Sequence, residues 1–193
     1  ERTGKRCGRM LDVGCGGGHL ALAMLREGAF DHVTLLDENA DALKMAEDRI
    51  RGELTSENRT STMLSSCCSD ICAADLAERI GTTFDLIVSR GSMPFWDDQM
   101  AAFKNLYALL APGGVAYVGG GMGSRALREQ IAAQMAEIRR QNGGSGPRMF
   151  DMSASKALET SAYEALLEHL GADYDVVAND EEGRWFVFGK PAE

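Results

Sequence analysis

The sequence has no apolar run long enough to cross a bilayer, so a membrane-spanning helix is excluded by its pattern. It also lacks a positive balance. Lys and Arg number 20 against 29 Asp and Glu, a formal charge of -9. That acidity disfavours nucleic acid or an anionic membrane as a partner. A disulfide framework is missing too. The five cysteines, Cys7, Cys15, Cys67, Cys68 and Cys72, are odd in number and follow no small-scaffold spacing. A reducing, cytoplasmic setting is therefore expected. No signal peptide, internal repeat or low-complexity tract is visible. The sequence starts at Glu1, almost directly on a strand and without an initiator Met, and is read as trimmed at its N-terminus.

Metal-ligand spacing is absent as well. Cys67, Cys68 and Cys72 read Cys-Cys-x-x-x-Cys, which is not a zinc pattern, and no His lies close in sequence. Neighbouring cysteines on a strand face opposite sides, so joint chelation is awkward and spectator thiols are expected. His19, His32 and His169 are scattered and read as structural.

What is present is an ordinary globular mix, 193 residues with 45% hydrophobic and 25% charged side chains. It suits one domain, 1–193, with a sizeable core. Apolar strands alternate with helical patterns, which predicts an α/β fold with a mainly parallel sheet. Strands are expected at 9–13, 32–36, 62–68, 84–89 and 115–118. Helices are expected at 19–27 with Gly28 as a cap, and at 40–51, 74–80, 99–110 and 124–141. Residues 52–61 read as a polar loop, 112–114 as a turn, 119–123 as a flexible glycine patch and 142–147 as linker-like. A last helix ends near Leu170 with Leu158, Ala162, Leu166 and Leu170 four apart. Strands at 174–178 and 185–189 flank a hairpin turn and are expected to pair antiparallel.

The informative stretch is Leu11-Asp12-Val13-Gly14-Cys15-Gly16-Gly17-Gly18, where a strand enters a glycine-rich turn before a helix. Glycines there permit positive φ and close approach of a ligand to the main chain, and the helix start offers unpaired N–H groups. A dinucleotide turn, G-x-G-x-x-G, needs its third glycine at position 19, which is His. The spacing is G-x-G-x-G instead, with an acid two residues before the first glycine. Asp37 lies 23 residues beyond Gly14, at the end of the second strand, where a carboxylate can accept from both ribose hydroxyls or cap the next helix. Glu38 adjoins it. Ser69-Asp70-Ile71 follows the third strand, with Asp70 a ligand group or an N-cap.

With Phe84-Asp85-Leu86-Ile87-Val88-Ser89 and Leu109-Leu110-Ala111-Pro112-Gly113-Gly114, these motifs stand in an order that resembles the class I S-adenosylmethionine (SAM)-dependent methyltransferases. Ser89-Arg90-Gly91-Ser92, Phe95-Trp96 and Tyr117-Val118-Gly119-Gly120-Gly121 are similar to a group of small, uncharacterised prokaryotic methyltransferase-like proteins. The resemblance implies a Rossmann-like, seven-stranded sheet in the order 3-2-1-4-5-7-6, helices on both faces and SAM as cofactor. It implies Gly14, Cys15 and Gly16 under the methionine and ribose, and Asp37 with Glu38 at the ribose. It places Asp70 at the adenine amine with Ile71 on the ring, and Ser89 and Arg90 near the transferring methyl. Asp12 would meet the methionine amino group or hold the loop through backbone N–H groups.

The implied reaction moves a methyl group to a small-molecule nucleophile and leaves S-adenosylhomocysteine. No acid–base triad is demanded, because the sulfonium already activates the methyl and positioning supplies the rest. Ser92-Met93-Pro94-Phe95 departs at two of four places from the Asp/Asn-Pro-Pro-Tyr/Phe signature of nucleic-acid amino-methylating enzymes, so that assignment is rejected. Phe95 and Trp96 line an acceptor pocket or pack the loop. Arg90 neutralises an anionic acceptor or pairs with Asp97 or Asp98. Rival readings are a non-catalytic SAM-binding module, a protein methyltransferase and an NAD-type oxidoreductase.

Overall fold

A computed structural model describes residues 3–56, 61–121, 123–145 and 155–192. Its seven strands form one sheet in the order β3-β2-β1-β4-β5-β7-β6. β1 (Cys7–Val13), β2 (Ala29–Asp37), β3 (Met63–Cys68), β4 (Phe84–Arg90) and β5 (Leu110–Gly120) pair in parallel. β6 (Asp173–Asn179) and β7 (Gly183–Gly189) pair antiparallel, and β7 also runs antiparallel to β5. The expected fold class and strand order are both found.

Alternation along β1 explains how one sheet supports two cores. Leu11 and Val13 join a cluster under α3 (Leu76–Ile80), α4 (Gln99–Leu109) and α6 (Thr160–His169). Met10 faces the other cluster, under α1 (His19–Glu27) and α2 (Ala40–Ser56). The strand order reverses between β1 and β4, and such a switch point opens a crevice at the carboxyl ends of the strands.

Several local expectations are corrected. α2 runs on to Ser56, because Leu54 continues the buried stripe of Leu43, Ala46 and Ile50 and outweighs Gly52. Part of the expected loop, 57–60, lies outside the described residues, as do 146–147 of the linker and 122 of the glycine patch. Gly28 follows α1 in an extended conformation, not a left-handed cap. Pro112-Gly113-Gly114 is no turn between elements. It lies inside β5, where Phe84 pairs with Leu110 and Leu86 with Val115 across a register shift. Gly119 and Gly121 serve close packing more than flexibility: a Cβ on either would lie 2.2 Å from a β7-side carbonyl oxygen, that of Arg184 or Glu182.

The late helices also differ. Ser124 caps α5 (Arg125–Gln141) by accepting from the Leu127 N–H, yet no residue of α5 is buried. Its stripe of Leu127, Ile131, Met135 and Ile138 is therefore not a core face. α6 buries Tyr163, Leu166 and Leu167, while Leu158 stays exposed before the helix begins.

Phe103 on α4 is the hub of the larger core. Its ring lies 4.6 Å from Tyr163, 5.4 Å from Phe186, 5.5 Å from Phe188 and 6.2 Å from Trp96, centroid to centroid. Phe103→Ala should lower stability by about 3–5 kcal/mol through lost burial and a residual cavity. Urea unfolding followed by circular dichroism measures it, and a change below about 1 kcal/mol would show that the ring cluster is not what holds α4 to the sheet.

Candidate active site

The glycine turn is held by β2. The Gly14 and Cys15 N–H groups both donate to the Leu36 carbonyl, at 2.8 and 3.1 Å. The Gly16 N–H donates to Asp37 Oδ2 at 2.8 Å, and the Asn39 N–H donates to Asp37 Oδ1 at 2.9 Å. Asn39 in turn accepts from the N–H groups of Asp41 and Ala42 at the start of α2. Asp37 thus sets the turn and the entry to α2 together, while its carboxylate still borders the crevice.

Gly14 has φ +65°, and a Cβ there would lie 2.3 Å from the Ser92 Cβ. The turn therefore packs directly on the loop after β4. Ser92 Oγ donates to the Val13 carbonyl at 3.3 Å and shares a 2.6 Å hydrogen bond with Ser89 Oγ. Ser89 is fully buried, so its hydroxyl supports this loop and lines neither cavity described here. At Gly16, by contrast, a Cβ would meet nothing within 4 Å.

Beside this turn opens a cavity of about 560 Å³. Gly14, Asp37, Glu38, Asp70 and Ile71 border it on the side of β1 to β3. Arg90, Ser92, Phe95, Trp96, Asp97 and Lys156 border it on the other. The structure thus brings most of the sequence-derived candidates to one space. Asp70 Oδ1 accepts from the Cys72 N–H at 2.8 Å, a local turn that fixes the carboxylate beside buried Ile71. Trp96 packs edge-on to Phe103 and still faces the cavity, whereas Phe95 is 59% exposed at its rim.

A smaller cavity, about 200 Å³, adjoins Gly14 and Arg90 and is lined by Asp12, Cys15, His19 and Leu20 among others. Asp12 is 1% exposed and accepts from the Ala21 N–H at 3.0 Å. Burial, aided by the charge of Asp37, pushes its pKa up to about 7 against the opposing pull of that N–H. The Cys15 thiol is pushed up to about 12 by burial and by the same two carboxylates, so it stays protonated at neutral pH. Burial likewise raises Cys67 and Cys72. Among the described residues, no group of three or more His, Cys, Asp or Glu side chains could hold a metal.

Arg90 pairs with neither expected acid. Asp97 forms an ion pair with Lys156, and Asp98 accepts from the Ala101 N–H to cap α4. Sequence reasoning missed Lys156, which reaches the cavity because its N–H donates to the Pro94 carbonyl at 2.9 Å. Its distance along the chain left no signal. His19, read as structural, lines the smaller cavity, and its place at the first turn of α1 was a usable cue. His32 is structural, bonded through Nε2 to Ser65 Oγ at 2.8 Å. Gln99 and Tyr163 were also missed. Buried Gln99 donates to the carbonyls of Met93 and Trp96 and accepts from the Tyr163 hydroxyl, pinning the loop to α6.

No helix among the described residues is long and apolar enough to cross a membrane. A family model described as a methyltransferase domain matches residues 11–118. The mitochondrial arginine-hydroxylase NDUFAF5 of Danio rerio is 27% identical over 168 residues, which is 86% of this chain and 47% of that protein. A ubiquinone biosynthesis O-methyltransferase of Pseudomonas savastanoi pv. phaseolicola is 30% identical over 115 residues, 59% of this chain and 44% of that one. The chain thus spans about half the length, or less, of these curated relatives. A proposed S-adenosyl-L-methionine-dependent methyltransferase from Methanococcus maripaludis superposes with a TM-score of 0.69 at 26% identity, covering 100% of this chain and 81% of that one. A S-adenosylmethionine-dependent methyltransferase from Clostridium acetobutylicum shares the fold, with a TM-score of 0.64 at 16% identity over 96% of this chain and 85% of that one. With a family match over more than half its length, the chain belongs to this methyltransferase domain family, within the class I SAM-dependent methyltransferases whose cofactor is S-adenosylmethionine.

Proposed function

We propose that residues 1–193 form one methyltransferase domain that transfers a methyl group from SAM to a small-molecule nucleophile. The observation that carries this reading is the convergence of Asp37, Asp70 and Gly14 of the glycine turn on one cavity. About 560 Å³ falls within the roughly 300–1,000 Å³ usual for small-molecule sites. The lining chemistry fits the cofactor. Asp37, with lone pairs left beyond its two backbone N–H partners, takes the ribose hydroxyls beside Glu38. Asp70 takes the adenine amine and Ile71 packs on the ring. The open space above Gly16 admits a ligand against the main chain.

Gly14 and Cys15 would hold the methionine half, and Asp12 would meet its amino group. When bound, SAM supplies an activated methyl group. The chain's own work is to orient the two reactants and exclude water. Gly14, packed against Ser92, sets the spacing between the two sides of the cavity. Trp96 and Phe95 form the wall toward the acceptor. The 30% identical relative named as an O-methyltransferase supports a small acceptor. The likeness to a protein named an arginine-hydroxylase supports a second reading, in which the acceptor is a protein side chain. Incubation with methyl-labelled SAM separates them. Label in a small molecule from metabolite extract supports the first reading, label in a protein the second, and tight NAD binding without SAM binding overturns both.

Three outcomes follow from the geometry. Asp37→Ala removes hydrogen bonds to a charged acceptor worth about 1.5–3 kcal/mol, so SAM should bind roughly 10- to 100-fold more weakly by calorimetry. Unchanged affinity would remove Asp37 from the site. Asp12 carries a folded-state pKa near 7, above its ordinary 3.8. Protonated Asp12 therefore suits the fold, and its contribution to stability is lost as pH rises from about 4 to 7 and is level above. The stability difference between wild type and Asp12→Asn, from urea unfolding, should move against wild type over that window. A cation placed beside Asp12 favours the ionised form, so SAM binding at pH 6 should release protons, read as a dependence of binding heat on buffer ionisation enthalpy. The Asp12→Asn variant should show none of this release.

A further inference from the structure

We propose that Arg90 is the recognition group for an anionic acceptor, so that the methylated substrate is a small molecule carrying a carboxylate or comparable acid beside its nucleophile. This rests on the reading of the main cavity as the SAM site and names the substrate class for it.

Arg90 stands at the carboxyl end of β4, on the border of both cavities. Its guanidinium makes no ion pair or side-chain hydrogen bond among the described residues. Of the nearby acids, Asp97 is engaged by Lys156, Asp98 by the start of α4, and Asp12, which lines the smaller cavity with Arg90, by the Ala21 N–H. The second cation on the cavity wall, Lys156, is for its part held by Asp97. Among the described residues, Arg90 is thus the lining cation left for a ligand.

The other lining acids do not cancel this. Asp37 and Glu38 stand at the tip of β2, and Asp70 beyond β3, whereas Arg90 is at the tip of β4 with β1 between. Adjacent strands lie about 4.8 Å apart, so the backbones of Arg90 and Asp37 are separated by two strand spacings, about 10 Å. The cavity is polarised, with acids at the end suited to a nucleoside and a cationic methyl donor, and a guanidinium at the other. Guanidinium presents a planar fork of donors that matches a carboxylate. Phe95, largely exposed at the rim, adds an apolar surface on the same side. An acceptor that pairs an acid with an apolar body fits both features.

The test uses benzoate and benzamide, which share a shape and differ in charge, titrated into protein saturated with S-adenosylhomocysteine. Binding is followed by calorimetry and by Trp fluorescence. Benzoate should bind at least tenfold more tightly than benzamide in the wild type. Arg90→Gln should abolish that preference, and Arg90→Lys should keep part of it. Affinity for S-adenosylhomocysteine should stay within about twofold in both variants, and their thermal midpoints should match the wild type because the side chain is exposed. Equal binding of the two probes, binding of neither at millimolar concentration, or a tenfold loss of S-adenosylhomocysteine affinity in Arg90→Gln would each overturn the assignment. Failure of the wild type to bind S-adenosylhomocysteine at all is a different result, and it sinks the cofactor reading first.

Discussion

The Asp37 carboxylate is the constraint on which the site depends. One oxygen holds the Gly16 N–H and the other holds the Asn39 N–H, so a single side chain joins the glycine turn, the end of β2 and the approach to α2. Hydrogen bonds to an ionised acceptor are stronger than neutral ones, and these two are short-range and well directed. The neighbouring Leu36 carbonyl receives two more N–H groups from the same turn. A turn rich in glycine has much conformational entropy to lose. It is ordered here because β2 supplies acceptors for three of its N–H groups. A ligand that also uses Asp37 meets a carboxylate whose orientation is already fixed, which lowers the ordering cost of binding.

The opposite wall is held by independent means. The loop after β4 is tied by Ser92 to Ser89 and to the Val13 carbonyl, and by Gln99 to Met93 and Trp96. Gln99 takes a hydrogen bond from the buried Tyr163 hydroxyl, which also accepts the Leu158 N–H. The geometry of this wall therefore depends on the late part of the chain. A buried polar chain of this kind specifies one arrangement, because breaking any link strands a buried donor or acceptor. The two walls meet where Gly14 touches Ser92, and no room exists there for a side chain.

This division explains what could be read from the sequence. Asp12, Gly14, Gly16, Asp37 and Asp70 sit at strand ends with fixed spacing, so local pattern and strand order locate them. Ile71 follows as their neighbour. Ser89 was legible as a position but not in its role, since its bond to Ser92 depends on a three-dimensional turn. Lys156 and the Gln99–Tyr163 pair were not legible, because contacts between residues some sixty apart leave no local periodicity. The stripe on α5 misled for a related reason. Helical spacing of apolar residues predicts a face but not what covers it, and it is α6, not α5, that contributes to the core. The polar run after Arg51 and the turn at 112–114 misled as element ends, where Leu54 and the β4–β5 register overrode them.

Asp12 shows how site and stability oppose each other. It lies on the face of β1 that turns toward α1, among apolar residues, with a single backbone N–H for support. An apolar side chain there would avoid the desolvation that raises its pKa toward 7. The nearby Asp37 worsens the balance, since the two negative charges repel. The start of α1 relieves it in part, because the carboxylate accepts from a first-turn N–H where the helix dipole is positive. What would complete the compensation is a cation in the small cavity that Asp12 borders. The α-amino group of the methionine half of SAM, held past Gly14, would have that charge and would give Asp12 a partner beyond the Ala21 N–H. The same polarity extends along the crevice. Asp37, Glu38 and Asp70 border it at the tips of β2 and β3 and Arg90 at the tip of β4, so a cationic donor and an anionic acceptor would each find the opposite charge on a different strand end.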